Sequence, residues 1–219
     1  MTMKKSEKRE RILAIADRLA DLYPEALCAL EWDGAPWKLL VMGRLSAQCT
    51  DARVNVVCRE LFARYPTAAA LGSADPADVE RIVFPCGLYR VKARNIIDAC
   101  AMLENDYGGV LPDSMEELLK FPGVGRKVAN LLLGDVYHTG GTVTDTHCIR
   151  ICGRFGMYPR TLKDPRRVEI LMDDLLPPAI RSDFCHRIVQ FGRDTCSARA
   201  PQCSACPLRD LCEYGKEGK

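Results

Sequence analysis

Four cysteines clustered in one 17-residue window constrain this chain more than any other feature of its sequence. Their spacing is C-x6-C-x2-C-x5-C, at Cys196, Cys203, Cys206 and Cys212. The residues around them include few large apolar side chains, so the segment cannot bury a hydrophobic core of its own. Ligation of a metal centre would substitute for that core. Four thiolates suit a [4Fe-4S] cluster, which is the cofactor that the array predicts.

Two other interpretations of the array stay open at this stage. Tetrahedral zinc also takes four cysteines, and the two-residue gap between Cys203 and Cys206 is usual for zinc, whereas the six-residue first gap is wide. Four free thiols that bind no metal are the remaining alternative. The other eight cysteines are scattered, mostly in apolar helical patterns, where a thiol packs as a small hydrophobic group.

Length and composition predict an intracellular protein with a true core. The 219 residues are 47% hydrophobic, with 31 Lys plus Arg against 29 Asp plus Glu. This is enough for one large or two small domains. No run of about 18 uncharged apolar residues occurs, which excludes a transmembrane helix. Residues 1–11 mix charges of both signs with no apolar segment behind them, which argues against a signal or transit peptide.

Apolar residues recur with helical spacing along most of the chain, and strand-like alternation is almost absent. Asp113 with Glu116 resembles a capping box that opens a short helix to Lys120. Another helix is predicted after Thr50, and two more start with an N-cap followed by proline at the first helical position: Asp75-Pro76 and Asp164-Pro165. The sequence therefore predicts an all-α fold.

Residues 113–137 carry the most specific helical pattern. Two apolar helical segments flank FPGVG (121–125), which is too short for anything but a tight hairpin and has glycines where positive φ is expected. In such a helix-hairpin-helix the backbone N–H groups of Gly123, Val124 and Gly125 can reach DNA phosphates, helped by the start of the next helix. An ordinary corner between two helices also uses glycine, but the Arg126 and Lys127 that follow favour DNA.

Charge is distributed unevenly along the chain. Residues 120–167 contain nine Lys or Arg against three Asp, although the formal net charge is only +2. A local excess of this kind indicates a basic face, the electrostatic property that nucleic-acid binding requires. A solvated helical surface would account for the charges alone equally well.

Taken together, these segments resemble the endonuclease III family of helix-hairpin-helix DNA glycosylases. The resemblance rests on LSAQCTD (45–51), GLYRVKARNI (87–96), FPGVGRKVANLLL (121–133), TDTHCIR (144–150) and the cysteine array. It implies two α-helical lobes. One is a six-helix lobe over residues 29–139 that contains the helix-hairpin-helix; the other is an iron-sulfur cluster lobe made of residues 1–28 and 140–219, with its cluster loop at 196–212.

The resemblance also implies an activity and a partner. The family consists of base excision repair enzymes that remove oxidised pyrimidines from duplex DNA and then cleave 3′ to the abasic site by β-elimination through a lysine Schiff base. The expected partner is double-stranded DNA with a damaged base or an abasic site. We expect a monomer in the cytoplasm, associated with the nucleoid, with no membrane segment.

Two residues are predicted to be catalytic. Lys127 lies at the start of the second hairpin helix, where the helix terminus and Arg126 disfavour the charged amine, and the resemblance places the catalytic lysine here. Asp145 follows 18 residues later. A helix of about ten residues travels about 15 Å, and the extended chain after it can return that distance. Asp145 can also cap the next helix, which would keep its carboxylate ionised. The resemblance implies that this carboxylate helps deprotonate Lys127 and stabilises the cationic sugar.

The resemblance gives two further residues a role when the damaged nucleotide is flipped out of the duplex. Gln48 would insert into the vacated stack, and Leu88 would act as the apolar wedge. Three cations follow the wedge before the first acidic residue, which suits phosphate contacts: Arg90, Lys92 and Arg94.

The chain departs from the family pattern in places, and two alternatives stay open. Thr144 precedes Asp145 where the family commonly has an aliphatic residue, and Cys148 follows His147. Arg199 is the only cation of the loop 197–202, where several basic residues are usual.

An adenine glycosylase of the same superfamily would carry the hairpin and the cysteines, but it lacks a lysine at the position of Lys127 and normally continues into another C-terminal domain. A non-catalytic DNA-binding module with a redox-sensing cluster would need neither Lys127 nor Asp145.

Overall fold

The computed structural model describes residues 3–217, and over that range it is all-helical, without a β-strand. The predicted all-α fold is confirmed. No helix of the described range is long and apolar enough to cross a membrane. The helices are α1 Lys5–Leu22, α2 Pro36–Leu45, α3 Asp51–Arg64, α4 Ala68–Gly72, α5 Pro76–Val83, α6 Tyr89–Tyr107, α7 Met115–Leu118, α8 Arg126–Tyr137, α9 Thr146–Arg154, α10 Pro165–Leu175, α11 Arg181–Asp194 and α12 Glu213–Lys216, with 3-10 turns at Phe84–Cys86, Pro178–Ile180, Cys203–Ala205 and Arg209–Leu211.

The chain forms two compact units. One is continuous, Cys28–Tyr137, and holds α2 to α8; the other joins α1 to everything from His138 onward. The continuous unit has six helices of five residues or more and the four-residue α7. These divisions lie within two residues of the lobe boundaries inferred from the resemblance. The outermost residues of the predicted cluster lobe, 1–2 and 218–219, lie outside the described range.

The helix starts follow the capping signals in the sequence, with one exception. Thr50, Asp75 and Asp164 each accept a backbone N–H from the first turn of α3, α5 and α10. The predicted capping box at Asp113 is wrong by one residue: Ser114 has the extended cap conformation and accepts from Glu117 N–H. The Glu117 side chain instead binds the Tyr107 hydroxyl (2.8 Å), so no reciprocal box forms.

Helices α4 and α6 approach each other closely at Gly72. A Cβ added to Gly72 would lie 2.7 Å from the backbone nitrogen of Ala101 and 2.9 Å from its Cα. These are backbone atoms of a long helix, so they cannot move aside as the end of a flexible side chain can. The contact therefore depends on glycine although alanine is the better helix former.

We expect Gly72→Ala to lower the free energy of unfolding by about 1 to 3 kcal/mol, because overpacking outweighs the gain in helix propensity. Chemical denaturation measures this change. Gly153→Ala in α9 is the matched control: its Cβ would meet no atom closer than 3.4 Å, so stability should hold or rise. Equal behaviour of the two variants would contradict the packing argument.

Candidate active site and metal centre

The hairpin predicted from the sequence lies between α7 and α8. Phe121 and Val124 are buried and anchor the turn, and Val124 N–H donates to Phe121 C=O (3.0 Å). Gly123 has φ +75°, as predicted, whereas Gly125 does not adopt positive φ, so that part of the prediction is wrong. Gly125 directly precedes α8, and its carbonyl accepts the Ala129 N–H in the first hydrogen bond of that helix. Because the Val124 side chain is buried, only its backbone can face a ligand.

Gly123 packs over a hydrogen-bonded pair of side chains. Arg44 donates to Asn95 Oδ1 from Nε (3.1 Å) and from Nη2 (2.8 Å). A Cβ on Gly123 would lie 2.6 Å from Arg44 Cδ and 2.9 Å from Asn95 Cγ. Position 123 therefore requires glycine twice, for its backbone conformation and for space.

Arg126 and Lys127 are the first two residues of α8. Lys127 is exposed, and within the unit Cys28–Tyr137 its ammonium has no hydrogen bond or ion pair. In the same unit the N–H groups of Gly123 and Gly125 have no acceptor. The hairpin thus presents free N–H donors beside an unpaired amine at a helix N-terminus, an arrangement suited to an anionic ligand.

Gln48 and Leu88 share an unusual backbone conformation. Both are exposed, Leu88 with 61% of its surface, and both have positive φ, +55° and +49°. The left-handed region costs a non-glycine residue roughly 1 to 2 kcal/mol. Such strain persists only where the surrounding structure imposes it, and it is typical of functional positions. Nothing in the sequence pattern indicated it.

Lys92 does not contact solvent, so its predicted role in phosphate binding is wrong. Its side chain is fully buried and its Nζ donates to three carbonyls, those of Leu45 (2.8 Å), Ala47 (2.7 Å) and Cys86 (2.8 Å). Burial lowers the pKa of this ammonium. Helical spacing carries the missed signal, because Lys92 lies on the buried stripe of α6 with Ile96. Arg90 and Arg94, in contrast, are exposed.

Asp145 is the N-cap of α9, as predicted from the sequence. Its Oδ1 accepts the N–H of Cys148 (2.7 Å). The preceding extended segment is fixed by Thr142, whose N–H and hydroxyl both donate to Asp173 Oδ1 at 2.7 Å. Asp145 and Lys127 belong to different compact units, and their pairing stays a prediction.

Two departures from the family pattern are structural. Cys148 is buried, with 1% of its surface exposed, so it is a core residue. Thr144 is also buried. Arg199, the single cation of the cluster loop, is exposed.

The four clustered cysteines line one cavity, together with Arg154 and Tyr214. Burial and the three neighbouring cysteines raise the pKa of Cys206, and burial with two of these neighbours raises that of Cys212. Burial and the neighbouring thiols therefore oppose ionisation of Cys206 and Cys212 unless a metal centre shares their charge. The site thus fits an iron-sulfur cluster in donor type and number, and the chain has that cofactor.

Arg154 organises the cysteine loop, and the sequence analysis missed it. It is 8% exposed. Its guanidinium donates to the Cys196 thiol (3.1 Å) and to the carbonyls of Ser197 (2.8 Å) and Ala198 (2.9 Å). It also lies over the Tyr214 ring, 4.9 Å from the centroid. The available signal was its place in α9 between the buried Ile151 and Phe155.

Internal pairing consumes much of the charge excess in residues 120–167. Arg150 donates to Cys196 C=O, like Arg154. Three more cations pair with nearby acids: Lys120 with Glu117, Arg160 with Glu217, and Arg166 with Glu169. Five of the nine cations are therefore bonded inside their units, three of them to acids and two to a carbonyl, and the basic face stays a prediction.

We expect Arg154→Met to lower the iron content of the purified protein and to speed loss of the cluster in air. The variant leaves the part-buried carbonyls of Ser197 and Ala198 without this donor, at a cost of at most about 1 to 3 kcal/mol each. Arg160→Met is the matched control, because Arg160 lies over the same Tyr214 ring but binds only Glu217. Iron analysis and visible absorbance measure both. Unchanged iron in Arg154→Met would contradict this role.

Two family models match the chain. The model of the HhH-GPD superfamily base excision DNA repair proteins covers residues 41–178, and the iron-sulfur binding domain of endonuclease III covers residues 196–212, from the first to the last clustered cysteine. The second match agrees with the cofactor inferred from the four thiols.

Similar proteins agree with these models along nearly the whole chain. Endonuclease III of a Synechocystis species is 41% identical over 95% of this chain and 94% of its own, and that of Escherichia coli strain K12 is 35% identical over 92% and 94%. Two solved structures, a non-covalent Endonuclease III-DNA complex and a trapped Endonuclease III-DNA covalent intermediate, have TM-scores of 0.87 at 38% identity and 96% coverage of this chain, with 97% and 98% of theirs. The chain therefore belongs to the endonuclease III family of the HhH-GPD superfamily.

Proposed function

We propose that this protein is a bifunctional DNA N-glycosylase and AP lyase of base excision repair that acts on oxidised pyrimidines in duplex DNA. The observation that carries the proposal is Lys127, an exposed amine directly after the glycine hairpin at the start of α8. A trapped covalent intermediate is known for an endonuclease III of the same fold, and such an intermediate requires a nucleophile of this kind.

The proposed chemistry uses the amine twice. Lys127 Nζ attacks C1′ while the damaged base leaves with the bonding electron pair and takes up a proton. Ring opening then gives a Schiff base between Nζ and C1′. Removal of a C2′ proton breaks the C3′–O bond by β-elimination, and water hydrolyses the Schiff base to release Lys127.

Asp145 supplies negative charge in this scheme. Its carboxylate lies at the N-terminus of α9 and accepts the Cys148 N–H. That charge would stabilise the cationic sugar as the base departs and assist deprotonation of Lys127. The bonds from Thr142 to Asp173 fix the segment that carries it.

The remaining predicted residues bind DNA or the cofactor. Gly123, Gly125 and the Val124 backbone, with Arg126, would contact phosphates, while Gln48 fills the gap and Leu88 wedges the stack after the nucleotide is flipped. Since the substrate is duplex DNA, we place the enzyme at the nucleoid. The four clustered cysteines would ligate the [4Fe-4S] cluster, which when bound cross-links a segment that has few apolar side chains.

Borohydride trapping tests the nucleophile. On a duplex with thymine glycol, wild type should form a covalent adduct that is absent in Lys127→Ala and Lys127→Gln, because borohydride reduces only an existing Schiff base. Lys120→Ala is the control, since Lys120 is a nearby hairpin lysine already paired with Glu117. If wild type traps neither this duplex nor a preformed abasic site, the lyase proposal fails.

Asp145→Asn separates capping from catalysis. Asparagine caps helices as well as aspartate, so stability should change by less than about 0.5 kcal/mol. Base excision should fall about 100-fold or more, and cleavage at a preformed abasic site should fall less, since no base leaves there. Asp164→Asn, at the N-cap of α10, is the control for capping. Full excision by Asp145→Asn would refute the charge role.

A further inference from the structure

The ammonium of Lys92 joins two separate chain segments. Two of its acceptors, Leu45 and Ala47, lie at and just after the end of α2, and the third, Cys86, ends the 3-10 turn before α6. An ammonium has three N–H donors, so all of them are used. The carbonyls at the end of α2 are at the negative end of the helix, which further favours a cation.

These segments carry the two exposed residues whose backbones have positive φ. Gln48 directly follows the acceptor Ala47, and Leu88 is two residues after the acceptor Cys86, across Gly87 at φ +69°. Lys92 also fixes Leu88 through its backbone, since Lys92 N–H donates to Leu88 C=O (3.0 Å). One residue thus restrains the backbone on both sides of Leu88 and the backbone next to Gln48.

We propose that Lys92 is a positioning residue, which holds Gln48 and Leu88 in the conformations and at the separation needed to enter duplex DNA together. It touches neither the reacting sugar nor the base. This inference rests on the proposed function and deepens it, because it names the group that supports gap filling and wedging.

Two substrates separate positioning from catalysis. Excision of thymine glycol from a duplex requires flipping and gap filling, whereas a single-stranded abasic oligonucleotide has no stack to open and no gap to fill. With Lys92→Met, which keeps the length of the side chain and removes its donors, we expect single-turnover excision on the duplex to fall about 100-fold, as for a misplacement of about 1 Å. Borohydride trapping on the single strand should stay within about threefold of wild type.

Matched variants control for damage to the fold. Asn55→Leu removes another buried anchor of the same unit, which bonds Ala29 C=O (2.9 Å) and Glu31 N–H (3.1 Å), and its duplex and single-strand rates should change in parallel. Lys92→Arg keeps charge and donors and should recover part of the duplex activity. If Lys92→Met does not fold, Lys92→Arg serves as the test, with a loss confined to the duplex.

Three results would overturn the inference. Full duplex activity in Lys92→Met would show that the anchor is not needed, and equal losses on both substrates would show a general structural role. Wild type that traps neither substrate would defeat the proposed function, and the positioning role with it. Wild type that traps both, with a loss in Lys92→Met on the duplex alone, supports both proposals.

Discussion

A buried cation bonded to backbone carbonyls holds together the irregular segments of each compact unit. Lys92 does this for the two turns that carry Gln48 and Leu88, and Arg154 does it for the cysteine loop. A buried charge is costly unless fully hydrogen-bonded, and loops leave carbonyls without helical partners. In each unit the carbonyls satisfy the buried cation and the cation supplies the donors that the carbonyls lack. The turns beside Gln48 and Leu88 and the cysteine loop are therefore held in one conformation.

The proposed chemistry uses backbone geometry as much as side chains. Gly123 allows the hairpin to turn over the Arg44–Asn95 pair, and the N–H groups of Gly123 and Gly125 have no acceptor within the unit Cys28–Tyr137. The same helix start holds Lys127, so one structural element would place both the proposed phosphate contacts and the proposed nucleophile. Asp145 is likewise placed by a helix start, because its carboxylate caps the first turn of α9.

Local signals in the sequence predicted the helix starts and the hairpin, and they failed where neighbouring choices compete. The caps at Asp75 and Asp164 form as predicted, and α3 begins directly after Thr50, because a capping bond spans only two or three residues. Ser114 displaced Asp113 since either side chain can reach an early N–H, and only the path of the chain decides between them. At Gly125, the glycine itself indicated positive φ, but this residue directly precedes α8 and its carbonyl accepts the first hydrogen bond of that helix.

The sequence by itself determined the all-α fold, the hairpin, the thiol donor set and the family, because helical period, turn residues and ligand spacing are local along the chain. Tertiary structure decided which cations are buried and which backbone positions are strained. Lys92 bonds carbonyls 45 and 47 residues away, and Arg154 bonds carbonyls 42 to 44 residues away. Helical spacing can indicate that these two side chains are buried, but it does not indicate which carbonyls they bind, since contacts at such separations depend on how whole helices pack.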